Sequence, residues 1–187
     1  MTRIIAGTSG GRTLRTPPGS GTRPTSDRVR EALFSALDAR DAVRGSRVLD
    51  LYAGSGALGL EAASRGASSV VLVESDRRAA DVIARNARDL ALPGIRVVRS
   101  TVAAALAPDP GASEAADLVL VDPPYDVAEH EVAAVLARLA AGWLAPGGLV
   151  VVERSTRSPE PTWPPGILPT GKPRRYGETT VHLATRP

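Results

Sequence analysis

The feature that most constrains the fold is a strict alternation of short apolar runs and amphipathic stretches between residues 47 and 154. Strands that alternate with helices indicate βαβ units, because two parallel strands need a crossover connection between them. The alternation therefore predicts an α/β fold with a doubly wound, mostly parallel sheet. The predicted strands are 47–53, 69–75, 95–100, 117–122 and 148–154, and the predicted helices are 57–66, 76–91, 102–106 and 128–144.

The two ends of the chain depart from this pattern. Residues 1–25 alternate short β-like runs with glycine and proline, which predicts a small hairpin or arm ahead of a main domain at 26–187. Ser26 or Asp27 is placed to cap a helix that follows the arm. Near the other end, 159–173 is rich in proline and reads as a loop, and 174–185 has β character. We expect two late strands that form an antiparallel edge of the sheet.

Composition excludes several classes of site. The 187 residues are long enough for one domain with a full-sized core. They contain no cysteine and two histidines, which removes disulfides and thiolate nucleophiles and argues against any metal site. No apolar run approaches a membrane span, and the first residues lack the apolar core of a signal peptide, so we expect a cytoplasmic protein.

Positive charge is concentrated at the two ends. Residues 1–30 hold six arginines against one aspartate, and 172–187 hold four basic residues against one glutamate. Because the whole chain carries a net charge of +3, the remainder is acidic. Basic ends on an acidic body are expected if the ends bind a polyanion, although scattered surface arginine that keeps the protein soluble is the alternative.

A glycine loop follows the first predicted strand. Residues 54–59, GSGALG, match G-x-G-x-x-G at a strand-to-helix turn, and Glu74 closes the next strand twenty residues after Gly54. This fingerprint alone predicts an NAD site. However, Asp50 stands four residues before Gly54, where its carboxylate would repel a pyrophosphate. It suits the ammonium group of S-adenosylmethionine, so we favour that cofactor, with Glu74 accepting hydrogen bonds from the ribose hydroxyls.

The fourth predicted strand ends in the sequence LVLVDPPYD at 118–126. Proline cannot continue a sheet ladder, so the strand must stop at Asp122 and leave its carboxylate and the Tyr125 ring on a rigid turn. Taken alone, this is equally a structural proline turn. In a doubly wound sheet, however, the first and fourth strands are neighbours at the switch point, and the glycine loop and this turn then face one crevice.

That crevice suits the methylation of an exocyclic amine on a nucleobase. The Asp122 carboxylate and the Pro123 carbonyl can each accept one N–H bond and aim the nitrogen lone pair at the methyl group. Asp122 can also take the proton, and Tyr125 can stack on the base, which must be unpaired or flipped out. Methylation at pyrimidine carbon 5 usually needs a cysteine, and 2′-O-methylation commonly needs a lysine base, for which the chain offers only Lys172.

The sequence resembles a known family, the bacterial 16S ribosomal RNA guanine-N2 methyltransferases called RsmD. The resemblance covers nearly the whole chain and rests on the segments at 1–14, 22–37, 50–62, 71–76, 118–125 and 172–183. It implies a Rossmann-like methyltransferase that modifies the N2 amine of one guanine in 16S rRNA, within the 30S subunit or an assembly intermediate. Relatives that methylate adenine N6 or a protein glutamine mostly have Asn where this chain has Asp122, which favours guanine.

The resemblance also implies the residues that contact S-adenosylmethionine. Asp50 and Glu74 are implied on either side of the glycine loop, and the 22–28 segment would close over the methionine end. Thr101, after the third strand, stands where relatives often place an acidic residue or Asn against adenine. The implied cofactor set is Asp50, Gly54, Ser55, Gly56, Glu74, Thr101, Thr25 and Arg28.

We expect the basic ends to contact RNA phosphates. We also expect the protein to act as a monomer. The arm contains little apolar content to pack, so we expect it to be mobile until RNA binds, the alternative being a small hairpin packed on the sheet edge. Two other functions stay open, a dehydrogenase and a non-catalytic RNA-binding protein that has kept this fold. The predicted RNA contacts are Arg3, Arg12, Arg15, Arg23, Lys172, Arg174 and Arg175.

Overall fold

The computed structural model describes residues 2–17, 27–111 and 115–187, and within these ranges it confirms the α/β alternation. A small antiparallel pair near the N-terminus precedes an eight-stranded sheet flanked by helices. The strands are β1 Thr2–Arg3, β2 Thr13–Leu14, β3 Arg47–Leu51, β4 Ser69–Glu74, β5 Ile95–Arg99, β6 Ala116–Val121, β7 Leu144–Ser155, β8 Leu168–Pro169, β9 Arg174–Tyr176 and β10 Thr179–Thr185. The helices are α1 Asp27–Asp38, α2 Ala57–Ser64, α3 Arg77–Leu90, α4 Val102–Ala105 and α5 Glu129–Arg138, followed by a π-helical turn at Leu139–Trp143.

The sheet has the order β5-β4-β3-β6-β7-β10-β8, with β9 also paired to β10. Strands β3 to β7 are parallel, whereas β10 runs antiparallel to β7, β8 and β9. The predicted antiparallel edge is therefore confirmed, although it contains three late strands instead of two, because β8 lies within 159–173, which was expected to be a loop. The predicted contact between the first and fourth strands of the alternation is also confirmed, since β3 pairs directly with β6. Their carboxyl ends form the switch point at which ligands bind in such sheets.

The sheet separates two apolar layers. On one face, side chains of α1, α2 and α3, such as Phe34, Leu58 and Ile83, pack on the sheet. On the other face, α4 and α5 supply Val102 and Leu136. Successive residues of a strand point to opposite faces, so the central strands are apolar on both sides, as their continuous hydrophobic runs require.

The end of the fourth predicted helix differs from the expectation. The helix predicted at 128–144 ends at Arg138 and continues as a π-helical turn, and β7 begins at Leu144 instead of residue 148. Gly142 has φ 152°, a value that breaks the helix and that a side chain rarely adopts. The apolar periodicity alone did not reveal this break.

Residues 2–17 of the arm are packed on the main domain, which favours the alternative of a small hairpin and contradicts the expectation that the arm has little to bury. Ile4 and Leu14, at the two short strands, are buried against Leu60 of α2 and Leu90 of α3. The buried Glu61 carboxylate accepts the backbone N–H groups of residues 5 and 6 at 2.7 and 3.1 Å. Two well-placed apolar side chains and a buried acceptor are enough to dock a hairpin that composition alone describes as polar.

Among the residues that the structure describes, no helix is both long and apolar enough to cross a membrane.

Candidate active site

The glycine loop between β3 and α2 is shaped by left-handed backbone. Gly54 has φ 58° and Gly56 has φ 80°, conformations in which a side chain is strained. The Gly54 amide donates to Glu74 Oε2 at 2.8 Å, and the Asp76 amide donates to Glu74 Oε1 at 2.8 Å. The carboxylate at the end of β4 therefore holds the loop after β3 in place.

Asp50 lies under this loop and is 1% exposed. Its Oδ2 accepts the Gly59 amide at 2.8 Å, and a Cβ at Gly59 would lie 2.9 Å from that oxygen and 2.7 Å from Leu72 Cδ2. Burial, together with the charges of Asp122 and Glu74, raises the pKa of Asp50 to about 8. The hydrogen bond from the Gly59 amide lowers this pKa but is outweighed. Asp50 of β3 is therefore within electrostatic range of Glu74, which ends β4, and of Asp122, which follows β6.

These residues fit S-adenosylmethionine. A buried carboxyl with two further acids nearby is a poor environment for the pyrophosphate of a dinucleotide, and a favourable one for an ammonium. Each Glu74 oxygen accepts one backbone N–H and keeps a lone pair that a ribose hydroxyl can use. The loop glycines leave backbone open to close approach.

The turn after β6 begins where the prolines were expected to stop the strand. β6 ends at Val121, Asp122 is half-buried, and Pro123 is buried. Tyr125 is 56% exposed, which is unusual for a large ring and makes it accessible to a binding partner. The Val127 amide donates to the Pro124 carbonyl at 3.1 Å and closes the turn.

Register places this turn beside the glycine loop. Leu51 of β3 pairs with Val121 of β6, so Tyr52 and Asp122 each leave the sheet at the same level. The charge of Asp122 contributes to the raised pKa of Asp50, as expected for two carboxyl groups on adjacent strands.

Sequence reasoning missed Tyr52 and Arg154. Tyr52 has φ 62°, an uncommon conformation for a tyrosine, and burial raises its pKa, as does the charge of Glu131, while Arg154 lowers it. Arg154 lies at the end of β7 with 4% of its side chain exposed and donates to the Val127 carbonyl at 3.0 Å and to Glu129 Oε1 at 2.5 Å. An arginine at the end of an apolar strand was the available signal.

For the remaining predicted cofactor residues within the described ranges, the structure gives no hydrogen bond with the side chain of Asp50 or Glu74. Thr101 is exposed, and its hydroxyl accepts the Ala104 amide at 3.2 Å as the N-cap of α4. Ser55 is half-buried, and its carbonyl accepts from Asn86 at 3.5 Å. Arg28 is exposed in the first turn of α1, and Thr25 lies outside the described residues.

The arginines of the arm pair with acidic residues of the main domain. Arg15 Nε lies 3.2 Å from Asp89 Oδ2, and Arg12 donates to the Asp89 carbonyl. Arg3 Nε lies 3.2 Å from Asp27 Oδ2. All three side chains are exposed, so the ion pairs of Arg3 and Arg15 contribute little to stability. Arg23 falls outside the described residues.

Buried Asn86 of α3 joins the arm to the glycine loop. Its Oδ1 accepts the Arg15 amide at 2.9 Å, and its Nδ2 donates to the Arg15 carbonyl at 2.9 Å and to the Ser55 carbonyl. The arm therefore runs past the edge of the crevice.

The second basic segment, residues 172–175, lies at and just before β9. Lys172, Arg174 and Arg175 are exposed, the two arginines on β9. Arg175 pairs with Thr180 of β10, which pairs with Arg154 at the carboxyl end of β7. The arginines of β9 thus lie beyond the carboxyl end of β7, whereas the side chains of Arg12 and Arg15 lie at the last turn of α3.

Comparisons with known proteins identify the family of the chain. The model of a family described as conserved hypothetical protein 95 matches residues 2–185. Ribosomal RNA small subunit methyltransferase D of Escherichia coli strain K12 is 40% identical over 162 residues, which are 87% of this chain and 79% of that protein.

Solved structures show the same fold. The Escherichia coli protein yhhF, proposed to be a methyltransferase, has a TM-score of 0.83 and 36% identity, with 98% of this chain and 97% of that chain covered. The 16S rRNA N2 G1207 methyltransferase RsmC of Thermus thermophilus, solved with AdoMet and guanosine, has a TM-score of 0.63 and 26% identity, with 91% of this chain and 45% of that chain covered. The chain accordingly belongs to the family of conserved hypothetical protein 95 and is a methyltransferase related to ribosomal RNA small subunit methyltransferase D.

Proposed function

We propose that the protein transfers a methyl group from S-adenosylmethionine to the exocyclic N2 amine of one guanine in 16S ribosomal RNA. The observation that carries the proposal is the placement of Asp50, Glu74 and Asp122 near the carboxyl ends of the adjacent strands β4, β3 and β6. Two of these carboxyl groups suit a cationic methyl donor, and the third stands on a turn with an exposed aromatic ring. The family relationship and the RsmC structure with guanosine support a nucleobase as acceptor.

The donor side is built from Asp50, the glycine loop and Glu74. When bound there, S-adenosylmethionine supplies an electrophilic methyl group on a sulfonium. Asp50 would pair with the ammonium group, and Glu74 would accept from the ribose hydroxyls while it keeps the Gly54 amide. Ser55 and Gly56 would lie along the cofactor through their backbone. Thr25, Arg28 and Thr101 remain proposed contacts at its two ends.

The acceptor side is the turn from Asp122 to Tyr125. The Asp122 carboxylate and the Pro123 carbonyl would each accept one N–H bond from the guanine amine and so orient its lone pair. Asp122 would take the proton as charge develops on nitrogen. The exposed Tyr125 ring would stack on the flipped base, an interaction worth about 1–3 kcal/mol.

The chemistry of the chain argues against other positions of methylation. It has no cysteine for attack at pyrimidine carbon 6. Its one lysine, Lys172, is exposed near β9 and does not belong to the crevice, so a lysine-assisted 2′-O-methylation is disfavoured. An amine acceptor that needs only carboxylate and carbonyl partners matches the residues present.

RNA would be held on both sides of the crevice. The backbone of Arg15 in the arm reaches the glycine loop through Asn86, and β9 lies beyond the end of β7. Phosphate contacts from these two segments, and from Arg23, would position the substrate without reading its sequence. One chain forms both walls of the crevice, so we propose that a monomer acts on the 30S subunit or an assembly intermediate, in the cytoplasm.

The test is transfer of labelled methyl from S-adenosylmethionine to naked 16S rRNA and to 30S particles that lack the modification. We expect one labelled guanine, located by digestion and mass spectrometry. Label on adenine N6 or on ribose would contradict the proposed acceptor, and protection against thermal unfolding by NAD but not by S-adenosylhomocysteine would contradict the proposed donor.

A further inference from the structure

The turn that carries Asp122 and Tyr125 has few backbone donors of its own. Pro123 and Pro124 have no backbone N–H, and Pro124, Tyr125 and Asp126 are exposed. The turn is fixed at its start because Asp122 directly follows β6. A second anchor at its far end is needed if the base-binding ring is to keep a constant distance from the crevice.

Arg154 provides that second anchor. Its Nη2 donates to the Val127 carbonyl at 3.0 Å and to Glu129 Oε1 at 2.5 Å, so one guanidinium nitrogen joins the end of the turn to the first residue of α5. The Val127 amide in turn closes onto the Pro124 carbonyl. The series of hydrogen bonds runs from β7 to the residue directly before Tyr125.

The burial of Arg154 argues that it does more than stabilise the fold. Only 4% of its side chain is exposed, whereas its partner Glu129 is 38% exposed. An ion pair in such a position gives little net stability, since desolvation of the charge offsets the attraction. An apolar residue would pack there at no such cost, but it could not hold the Val127 carbonyl.

Tyr52 connects the same arginine to the donor side. The Tyr52 phenol is half-buried, and the charges of Glu131 and Arg154 shift its pKa in opposite directions, while Glu131 Oε2 accepts the Ala128 amide at 3.0 Å. The residue after Leu51 of β3 is therefore within electrostatic range of both Arg154 and the first turn of α5. Tyr52 leads from β3 into the glycine loop, and Arg154 holds the end of the acceptor turn, two elements whose distance from each other must stay constant for methyl transfer.

We infer that Arg154 is a positioning residue for methyl transfer, which holds the turn 122–128 so that Asp122 and Tyr125 present the target base to the methyl donor. The inference rests on the proposed function for its kinetic consequences. Arg154 acts through Val127 and Glu129 and does not touch the reacting atoms.

The matched control is Arg138, which lies at the end of α5 that is farther from the acceptor turn. Arg138 also donates to backbone carbonyls, to Leu106 at 2.8 Å and to Ala107 at 2.6 Å. Because α5 runs back along the sheet from the crevice, its last residue lies far from the acceptor turn. Its side chain is 37% exposed, so its replacement should remove comparable hydrogen bonds to backbone carbonyls at a less buried position, without moving Asp122.

The experiment compares Arg154→Gln, Arg154→Lys and Arg138→Gln with wild type, each at a temperature at which all are folded. We expect Arg154→Gln to lower kcat for RNA methylation by about 10–100-fold, as displacement of a reacting group by about 1 Å does. S-adenosylmethionine affinity should change less than about threefold, and Arg138→Gln should keep near wild-type kcat. Arg154→Lys should recover part of the rate, because an ammonium can reach one of the two acceptors.

Hydrogen–deuterium exchange gives a second readout that needs no substrate. In Arg154→Gln, the amides of residues 125–129 should exchange at least about tenfold faster, with α2 and α3 unchanged and no such effect in Arg138→Gln. Unchanged exchange in this segment, or an equal loss of kcat in both glutamine variants, would overturn the inference. If wild type methylates no ribosomal RNA, the proposed function fails, and the exchange comparison alone decides whether Arg154 holds the turn.

Discussion

The two walls of the crevice are built differently. The glycine loop on the donor side is tied down by side chains beneath it, with Glu74 on the Gly54 amide and Asp50 on the Gly59 amide. The turn 122–128 on the acceptor side presents an exposed Tyr125 and is anchored from its far end by Arg154. A small cofactor is best bound by a preformed surface, whereas a base that arrives on a large RNA needs an open one. The difference predicts that mutations on the two walls separate cofactor binding from methyl transfer.

The largest separation is expected for Asp122→Ala. Removal of the group that orients the amine and accepts its proton should lower kcat by about 10²–10⁴-fold. S-adenosylmethionine affinity should stay within a few-fold, because Asp122 acts on the acceptor. Calorimetry with the cofactor and single-turnover methylation measure the two effects.

The matched control is Asp126→Ala, which removes an exposed carboxylate from the same turn. Near wild-type methylation by a folded Asp122→Ala protein would show that the turn contributes only shape, and the comparison of the two walls would fail.

Glu74→Ala should produce the opposite pattern. It removes the acceptor of the Gly54 and Asp76 amides as well as the proposed ribose partner, so S-adenosylmethionine binding should weaken by about 1.5–3 kcal/mol. At saturating cofactor, kcat should fall much less. Unchanged cofactor affinity by calorimetry would remove Glu74 from the donor site.

Gly59→Ala tests how tightly the donor side is packed. Alanine usually stabilises a helix relative to glycine, but here its Cβ would lie 2.7 Å from Leu72 Cδ2 and 2.9 Å from Asp50 Oδ2. We expect the free energy of unfolding to fall by about 1–3 kcal/mol, as in overpacked cores. Chemical denaturation measures it, and a stabilised variant would mean that the loop has room to spare.

The pKa of Asp50 predicts a pH dependence of cofactor binding. Because burial raises this pKa to about 8, the Asp50 carboxyl is protonated at neutral pH in the protein without cofactor. An ammonium beside Asp50 favours its ionised form, so binding should release a proton and the affinity should rise with pH up to about 8, by at most about tenfold per unit. Glu74 and Asp122 are the charged groups that contribute to this shift. Calorimetry in buffers of different ionisation enthalpy measures the released proton.

Asp50→Asn is the control for that titration. The raised pKa means that the folded state keeps a proton that the unfolded chain loses, so stability falls as pH rises from about 4 to about 8. The Asn variant should lose this slope and the proton release together. A variant that still releases a proton on binding would assign the titration to another group.

The smallest effect is expected at the arm, outside both walls. Changing Arg3, Arg12 and Arg15 to Gln should flatten the salt dependence of RNA binding by about 0.7–0.9 in log–log slope for each phosphate that an arginine no longer neutralises. Cofactor affinity should not change. Substitution is preferable to deletion of the arm, because deletion would expose Leu60 and Leu90. Equal slopes for variant and wild type would move the RNA-binding surface to β9.

Much of this architecture is predictable from local sequence. The period of the apolar residues predicts β3 to β7 and their helices, and Pro123 predicts the end of β6, because these are properties of a few neighbouring residues. The glycine spacing predicts the loop that approaches a ligand. The break at Gly142 was missed because a helical period persists in the side chains up to the glycine.

The sequence by itself determined the order of strands and helices, the two loops at the carboxyl edge and the residue types in them. Tertiary structure alone decided the long-range contacts of the arm with α2 and α3 and of Arg154 with Val127. The physical reason is the range of the interactions. Backbone propensity and amphipathic period act over a few residues, whereas burial, and with it the raised pKa of Asp50 and the anchoring role of Arg154, depends on segments that come together only when the sheet forms.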